Sequence, residues 1–285
     1  MNALQKQINK VDAYQQRHHI PGFIYAVIKK YGDDGAGYWA ALLTYYGFLA
    51  LFPLLMVLTT VAHSILGSNP DLEKTVLSGL TDYFPILGSQ LSDHIHGLKG
   101  NGLALFAGIV FSIYGARGVA DVFRKGLRKV WGMESKKTEG FPKELIRSLA
   151  IIIIGGFGFL SASVIASLAA AAGHGWAFRL ASVVINLFIL FWLFNFLIYA
   201  SLPKHVTFKD TRLGAACAAV GLVILQLLGG YILAQQLKRL DALYSTFAIT
   251  LGLLFWLYIQ SQIIYYANEI AVVSSKKLWP RKFSE

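Results

Sequence analysis

The sequence predicts an all-α fold: a polytopic membrane protein of six transmembrane helices with short amphipathic interfacial helices. Three observations carry that expectation. Apolar residues fall in six long runs, basic residues concentrate in alternate loops, and no segment alternates polar and apolar residues as a membrane strand does. The chain is 55% hydrophobic and 14% charged, whereas ordinary soluble domains have about 45–50% apolar and about 25% charged residues.

A bilayer core about 30 Å thick requires about 20 residues of helix, and only helices or closed barrels satisfy their backbone polar groups there. The six runs cover residues 38–66, 102–122, 148–172, 180–202, 213–237 and 242–271. Gly155, Gly156, Gly158, Gly229, Gly230 and Gly252 lie inside them, as membrane helices tolerate. Residues 1–37 read as a cytoplasmic or interfacial lead-in, 38–275 as the transmembrane domain, and 276–285 as a basic cytoplasmic tail. The polar first residues contain no apolar core of a cleaved signal peptide.

Within the lead-in, Pro21-Gly22 is expected to break the chain. Phe23, Ala26 and Val27 with Lys29 and Lys30 then suggest a short helix lying along the membrane, lysines toward the headgroups. Residues 32–37 read as a turn. Pro53 sits inside the first span, where it removes one hydrogen bond and crowds the carbonyl of Leu49, so a kink is expected. Outside, residues 67–101 carry Leu72, Val76, Leu80 and Phe84 and then Ile86, Leu87, Leu91, Ile95 and Leu98. These spacings predict two amphipathic helices forming a candidate lid. Span five opens with Gly214–Ala219 and span three ends in alanines, small faces that allow close packing within one subunit or between two.

Charge sets the orientation. The net charge is +11 from 26 Lys and Arg residues. Twenty of them fall in the lead-in, the 123–147 loop, the 203–212 loop and the tail, and five in the alternate loops. The positive-inside rule therefore places both termini in the cytoplasm. The basicity reads as topology and attraction to anionic lipid, with no nucleic-acid partner implied. One cysteine, Cys217, precludes an intrachain disulfide and a cysteine-based metal site.

Several blocks resemble the YihY/BrkB family. They are Ala40-Ala41-Leu42 with Thr44-Tyr45-Tyr46, Leu51-Phe52-Pro53-Leu54-Leu55, Gly115-Ala116-Arg117 with Leu127 and Trp131, Leu202-Pro203 before Gly214-Ala215, Tyr244-Ser245-Thr246-Phe247, Trp256-Leu257-Tyr258, and Asn268-Glu269. The resemblance covers roughly residues 23–275. Many members carry Gly-Ala-Glu where this chain has Ala267-Asn268-Glu269. The resemblance implies a six-span bacterial inner-membrane protein, with envelope transport the role discussed for the family. A ribonuclease BN label once attached to members is not carried over.

The candidate substrate-pathway residues are Arg117, Asp121, Glu269, Asn268, Asn195 and Tyr45. Ionisable side chains inside a membrane are costly and face a partner or water. Arg117 and Asp121 are four apart on one helical face. They read either as an anion counter-ion and its gate, or as an ion pair with Arg117 reaching the inner headgroups beside Arg124 and Lys125. Glu269 reads as a proton relay, as a partner for Arg117, or as a capping acid near Lys276 and Lys277. Gln226, Gln260, Gln262 and the two asparagines read as interhelical glue singly, and together as a polar pathway. His63 reads as a satisfied helix-end histidine. Asp93, His94 and His96 lack a defined fourth ligand, so no metal or other cofactor is expected.

No G-x-x-x-x-G-K-S/T phosphate loop and no G-x-S-x-G elbow occurs, so an enzyme is not the expectation. The leading reading is a transporter, exporter or flippase for an amphipathic anion such as an envelope lipid. The alternative is a non-catalytic scaffold for envelope assembly. Membrane lipids are the expected partners, with a homo-oligomer through the small-residue faces as a second.

Overall fold

The computed structural model describes residues 12, 13, 15, 17–66, 102–133, 150, 151, 154–156, 158, 176–203, 206–244 and 248–281. Among them every regular element is a helix. We label these α1 (His19–Asp33), α2 (Ala36–Leu66), α3 (Gly102–Val130), α4 (Trp176–Ser201), α5 (Arg212–Tyr244) and α6 (Ala248–Ser275). The third apolar run is described at residues 150, 151, 154–156 and 158, all helical.

Among the described residues, two helices are long and apolar enough to cross a membrane by length and composition. They are Trp176–Ser201, of mean hydropathy 2.3, and Arg212–Gly229, of mean hydropathy 1.8. Only 33% and 44% of these segments are buried in the chain. An apolar helix left mostly uncovered is not the core helix of a soluble protein; its surface needs lipid or another apolar partner. Phe188, Trp192, Ile224 and Leu227 are among the side chains standing outward.

Helix α6 is the hub, touching α1, α2, α3 and α5, while α4 packs chiefly on α5. Small residues fix the closest approaches. A methyl group at Gly214 would meet Ala271 and Asn268, one at Gly221 would meet Ile263, and one at Gly229 would meet Trp256 at 2.5 Å. These pairs run in opposite directions along the two chains, so α5 and α6 are antiparallel in a tight register. The small-residue face of α5 is therefore used within the subunit, with Ala215, Ala218 and Ala219 fully buried. Gly118 admits the ring of Tyr46 between α2 and α3, and Gly126 admits the hydroxyl of Tyr265 between α3 and α6.

Three boundaries differ from the sequence reading. Pro21-Gly22 does not break the lead-in, because Pro21 falls in the first turn of α1, where its missing N–H leaves no bond unmade. Gly22 is there for space, since a Cβ would lie 2.7 Å from the Gln15 carbonyl oxygen. Helix α3 continues through Arg124, Lys125, Arg128 and Lys129, good helix formers, into what the charge pattern marked as loop. It stops at Gly132, whose φ is 69°, with Met133 N–H donating to Arg128 O at 2.8 Å and Gly132 N–H to Lys129 O at 2.9 Å. That is the Schellman arrangement. Residues 242–244, assigned to the last span, instead end α5.

Helix α2 runs as one element through Pro53; the packing of that side chain, the 67–101 lid, and His63, Asp93, His94 and His96 fall outside what is described.

Candidate functional site

Lys30 is the centre of the site. Ala26, Val27 and Lys30 share one face of α1, at the i, i+1, i+4 spacing of a buried stripe. Ala26 and Val27 pack on Val273 with Phe23, Ile270, Leu278 and Trp279, and this contact carries Lys30 into the bundle, where it is 6% exposed. Its ammonium donates to Glu269 Oε2 at 2.8 Å, to the Val130 carbonyl at 2.6 Å, and to Asp34 Oδ2. An ammonium has three N–H donors, and all three are used. The expectation of headgroup-facing lysines is corrected for Lys30: the apolar face of α1 packs on α6, and the lysine on that face goes with it.

Glu269 is fully buried. Its partner is Lys30, not Arg117 and not Lys276 or Lys277. Lys276 donates instead to the Trp131 carbonyl at 2.6 Å. Two ammonium groups thus cover consecutive carbonyls at the C-terminus of α3, where the helix dipole favours positive charge. Glu269 Oε1 has no hydrogen-bond partner among the described residues. The Lys30 cluster holds two carboxylates against one ammonium.

The remaining candidates fall into two groups. Asn268 and Asn195 are fully buried. Asn268 donates to the Ile264 carbonyl at 2.9 Å and accepts from Trp131 Nε1 at 3.4 Å, tying α6 to the end of α3. Asn195 Oδ1 accepts from Thr211, and its Nδ2 has no partner among the described residues. Arg117 and Tyr45 stand outward. The Arg117 side chain is 53% exposed, with Asp121 at 4.0 Å, and Tyr45 meets Tyr46 edge to face. Asp121 also lies 3.9 Å from Arg124, whose side chain is 3% exposed. Arg117, Asp121 and Arg124 therefore form a ladder along one face of α3.

Arg124, Asn195 and Glu269 each lie six residues before the end of their helix, about 9 Å at 1.5 Å per residue. Near their C-terminal ends α3, α4 and α6 thus each carry a buried polar side chain, and together these make a polar layer. Lys30 and Arg124 were not among the expected pathway residues. Lys30 is legible from its share in the Ala26–Val27 face; Arg124 is legible only once α3 is known to continue.

Beside this layer, an open apolar groove of about 380 Å³ runs between α5 and α6, lined by Cys217, Phe255, Tyr258, Ile259, Gln262 and Tyr266 among others. Helix α1 borders it. Tyr31 stacks on Tyr266 at 3.9 Å and 5°, and its hydroxyl donates to Gln262. Burial foremost, then the neighbouring Tyr266 and Tyr258, pushes the Tyr31 hydroxyl well above the ordinary tyrosine range. Gln226 is bonded to Asn186 at 2.9 Å, which joins α4 to α5. Among the described residues no cluster of His, Cys, Asp and Glu suits a metal ion.

Residues 27–282 match the family described as Virulence factor BrkB. The chain is similar to "Inner membrane protein YhjD" of Escherichia coli (strain K12), 25% identical over 85% of this chain and 78% of that protein. It is similar to a UPF0761 membrane protein of Psychrobacter sp. (strain PRwf-1), 24% identical over 98% of this chain and 53% of the relative. A UPF0761 membrane protein of Alcanivorax borkumensis is 26% identical over 86% of this chain and 58% of its own length. The chain thus spans little more than half of the two UPF0761 relatives. No solved structure matches.

Proposed function

Since the chain belongs to the Virulence factor BrkB family of integral membrane proteins, we propose that it spans the cytoplasmic membrane six times, termini inside, and transports an amphipathic anion such as an envelope lipid. The observation that carries this reading is the buried polar layer at the inner end of the bundle. In an apolar medium an unpartnered polar atom costs free energy, and in this layer Glu269 Oε1 and Asn195 Nδ2 have no hydrogen-bond partner among the described residues. Such groups are retained where a polar substrate or water uses them.

The residues suggest a division of labour. The Arg117–Asp121–Arg124 ladder offers successive cation positions along α3. Lys30, held by Glu269 and Asp34, acts as the inner gate: an anionic headgroup competes with the carboxylates for the ammonium. The groove between α5 and α6 accepts the apolar part of the substrate while the charged part follows the polar layer.

Reconstitution into vesicles containing a fluorescently labelled anionic phospholipid tests this. A transporter brings the label of the inner leaflet within reach of an external reductant faster than protein-free vesicles do. A scaffold leaves the leaflet distribution unchanged, and that result overturns the reading.

A further inference from the structure

Helix α1 lies antiparallel along the last turns of α6. His19 and Phe23 meet the Trp279 ring edge to face at 4.8 and 6.5 Å, Lys30 holds Glu269, and Tyr31 stacks on Tyr266. At about 100° per residue, Gly22 and Asp33 share one flank of α1, beside its docked face. The tail beyond α6 runs onto that flank. The Arg281 carbonyl accepts from Gln15 Nε2, and the Arg281 guanidinium donates to Asp33 Oδ2 at 3.0 Å. Gln15 is buried, with its own carbonyl against Gly22. Residues from before and after the bundle thus close together on α1. The opposite flank, with Ile20, Ile24 and Ile28, is exposed.

The bundle alone gives α1 a narrow hold. The apolar cluster beneath it has three buried members, Ala26, Val27 and Val273. Four side chains pack around them, Phe23, Ile270, Leu278 and Trp279, and the last two belong to the tail. A satellite cluster of this size opens at a lower local free energy than the main core. Lys30 adds little net hold, because desolvation of a buried pair offsets much of its attraction. Of its three acceptors, Glu269 and the Val130 carbonyl stay with the bundle, but Asp34 travels with α1. The ammonium therefore keeps a partner when the helix lifts. Gly35, at a φ of 62°, follows Asp34 and separates α1 from α2, which supplies a hinge.

We infer that the tail, residues 276–281, is a clasp that keeps α1 docked, and that its release swings α1 about Gly35 and opens the Lys30–Glu269 pair. Lys276 roots the clasp on the Trp131 carbonyl at 2.6 Å, and Trp279 and Arg281 close it. The inference concerns the docking of α1 and holds whether or not the pair gates an anion pathway.

Full-length protein carrying C217S is labelled with nitroxides at I28C and V220C, both exposed positions, and placed in vesicles containing phosphatidylglycerol. Pulsed dipolar spectroscopy then reads the distance between α1 and α5. The parent is expected to give one narrow distance. W279A should add a second, longer population, and W279F should restore the single one. Arg281→Glu sets a like charge against Asp33 without touching the bundle, and should shift the populations the same way. Labels at V184C and V220C, on α4 and α5, report the bundle itself and should not respond. A distance unchanged from the parent in both W279A and Arg281→Glu overturns the inference, because the bundle then holds α1 without the tail. An equally large second population in the parent also overturns it, because the tail then holds nothing.

Discussion

The Lys30 ammonium lies 2.8 Å from the Glu269 carboxylate, joining residues 239 positions apart in the chain. The contact fastens a lead-in helix to the helix around which the bundle is organised. Removing one partner of a buried pair costs about 3–5 kcal/mol, because the other charge is left uncompensated. Lys30→Met is expected to cost that much, since it strands Glu269, Asp34 and the Val130 carbonyl together. Glu269→Gln should cost less, because Asp34 and Val130 still hold the ammonium. The double variant should lose less than the sum of the two. Denaturant unfolding of the purified protein in detergent, analysed as a double-mutant cycle, measures this coupling.

Two glycines should respond oppositely to the same substitution. A Cβ at Gly118 would lie 2.1 Å from the Tyr46 ring, and overpacking of this kind typically costs about 1–3 kcal/mol. Gly32 has open space around it and is helical, so alanine there should stabilise by about 0.5–1 kcal/mol. Thermal midpoints of Gly118→Ala and Gly32→Ala in one detergent give the comparison.

The apolar runs made the helices legible: 38–66, 102–122 and 213–237 lie within helices of the structure, and 180–202 does so up to Ser201. The end of α3 was hidden because its basic residues mark topology and favour helix at once; only Gly132 signals the stop. The site was partly legible. Glu269 and Asn195 stood out as polar groups in apolar runs, and both are buried. The partner of Glu269 did not stand out, because a contact across 239 positions leaves no local spacing to read. Arg117 drew attention as a charge in an apolar run, and the structure pairs it with Asp121 on its own helix.

The turn before α5 should be sensitive to acid. The Thr207 hydroxyl and then its backbone N–H donate to Asp210, holding that carboxyl below the usual carboxylate range. A depressed folded pKa contributes stability that is present above the unfolded value, about 3.9, and is lost as pH falls through the folded value. Hydrogen exchange at the Thr207 amide should therefore accelerate only below the ordinary aspartate range. Asp210→Asn should remove that pH dependence.

On the proposed function, the Lys30–Glu269 pair gates an anion pathway. Inter-leaflet movement of a labelled anionic phospholipid and a labelled zwitterionic one, measured in vesicles with wild-type protein and with Lys30→Met/Glu269→Gln, tests it most directly. Wild type should move the anionic lipid at least about tenfold faster, a difference of about 1.4 kcal/mol in barrier, and the folded double variant should lose that preference. Equal rates for the two lipids in wild type, or an unchanged preference in the double variant, would contradict it.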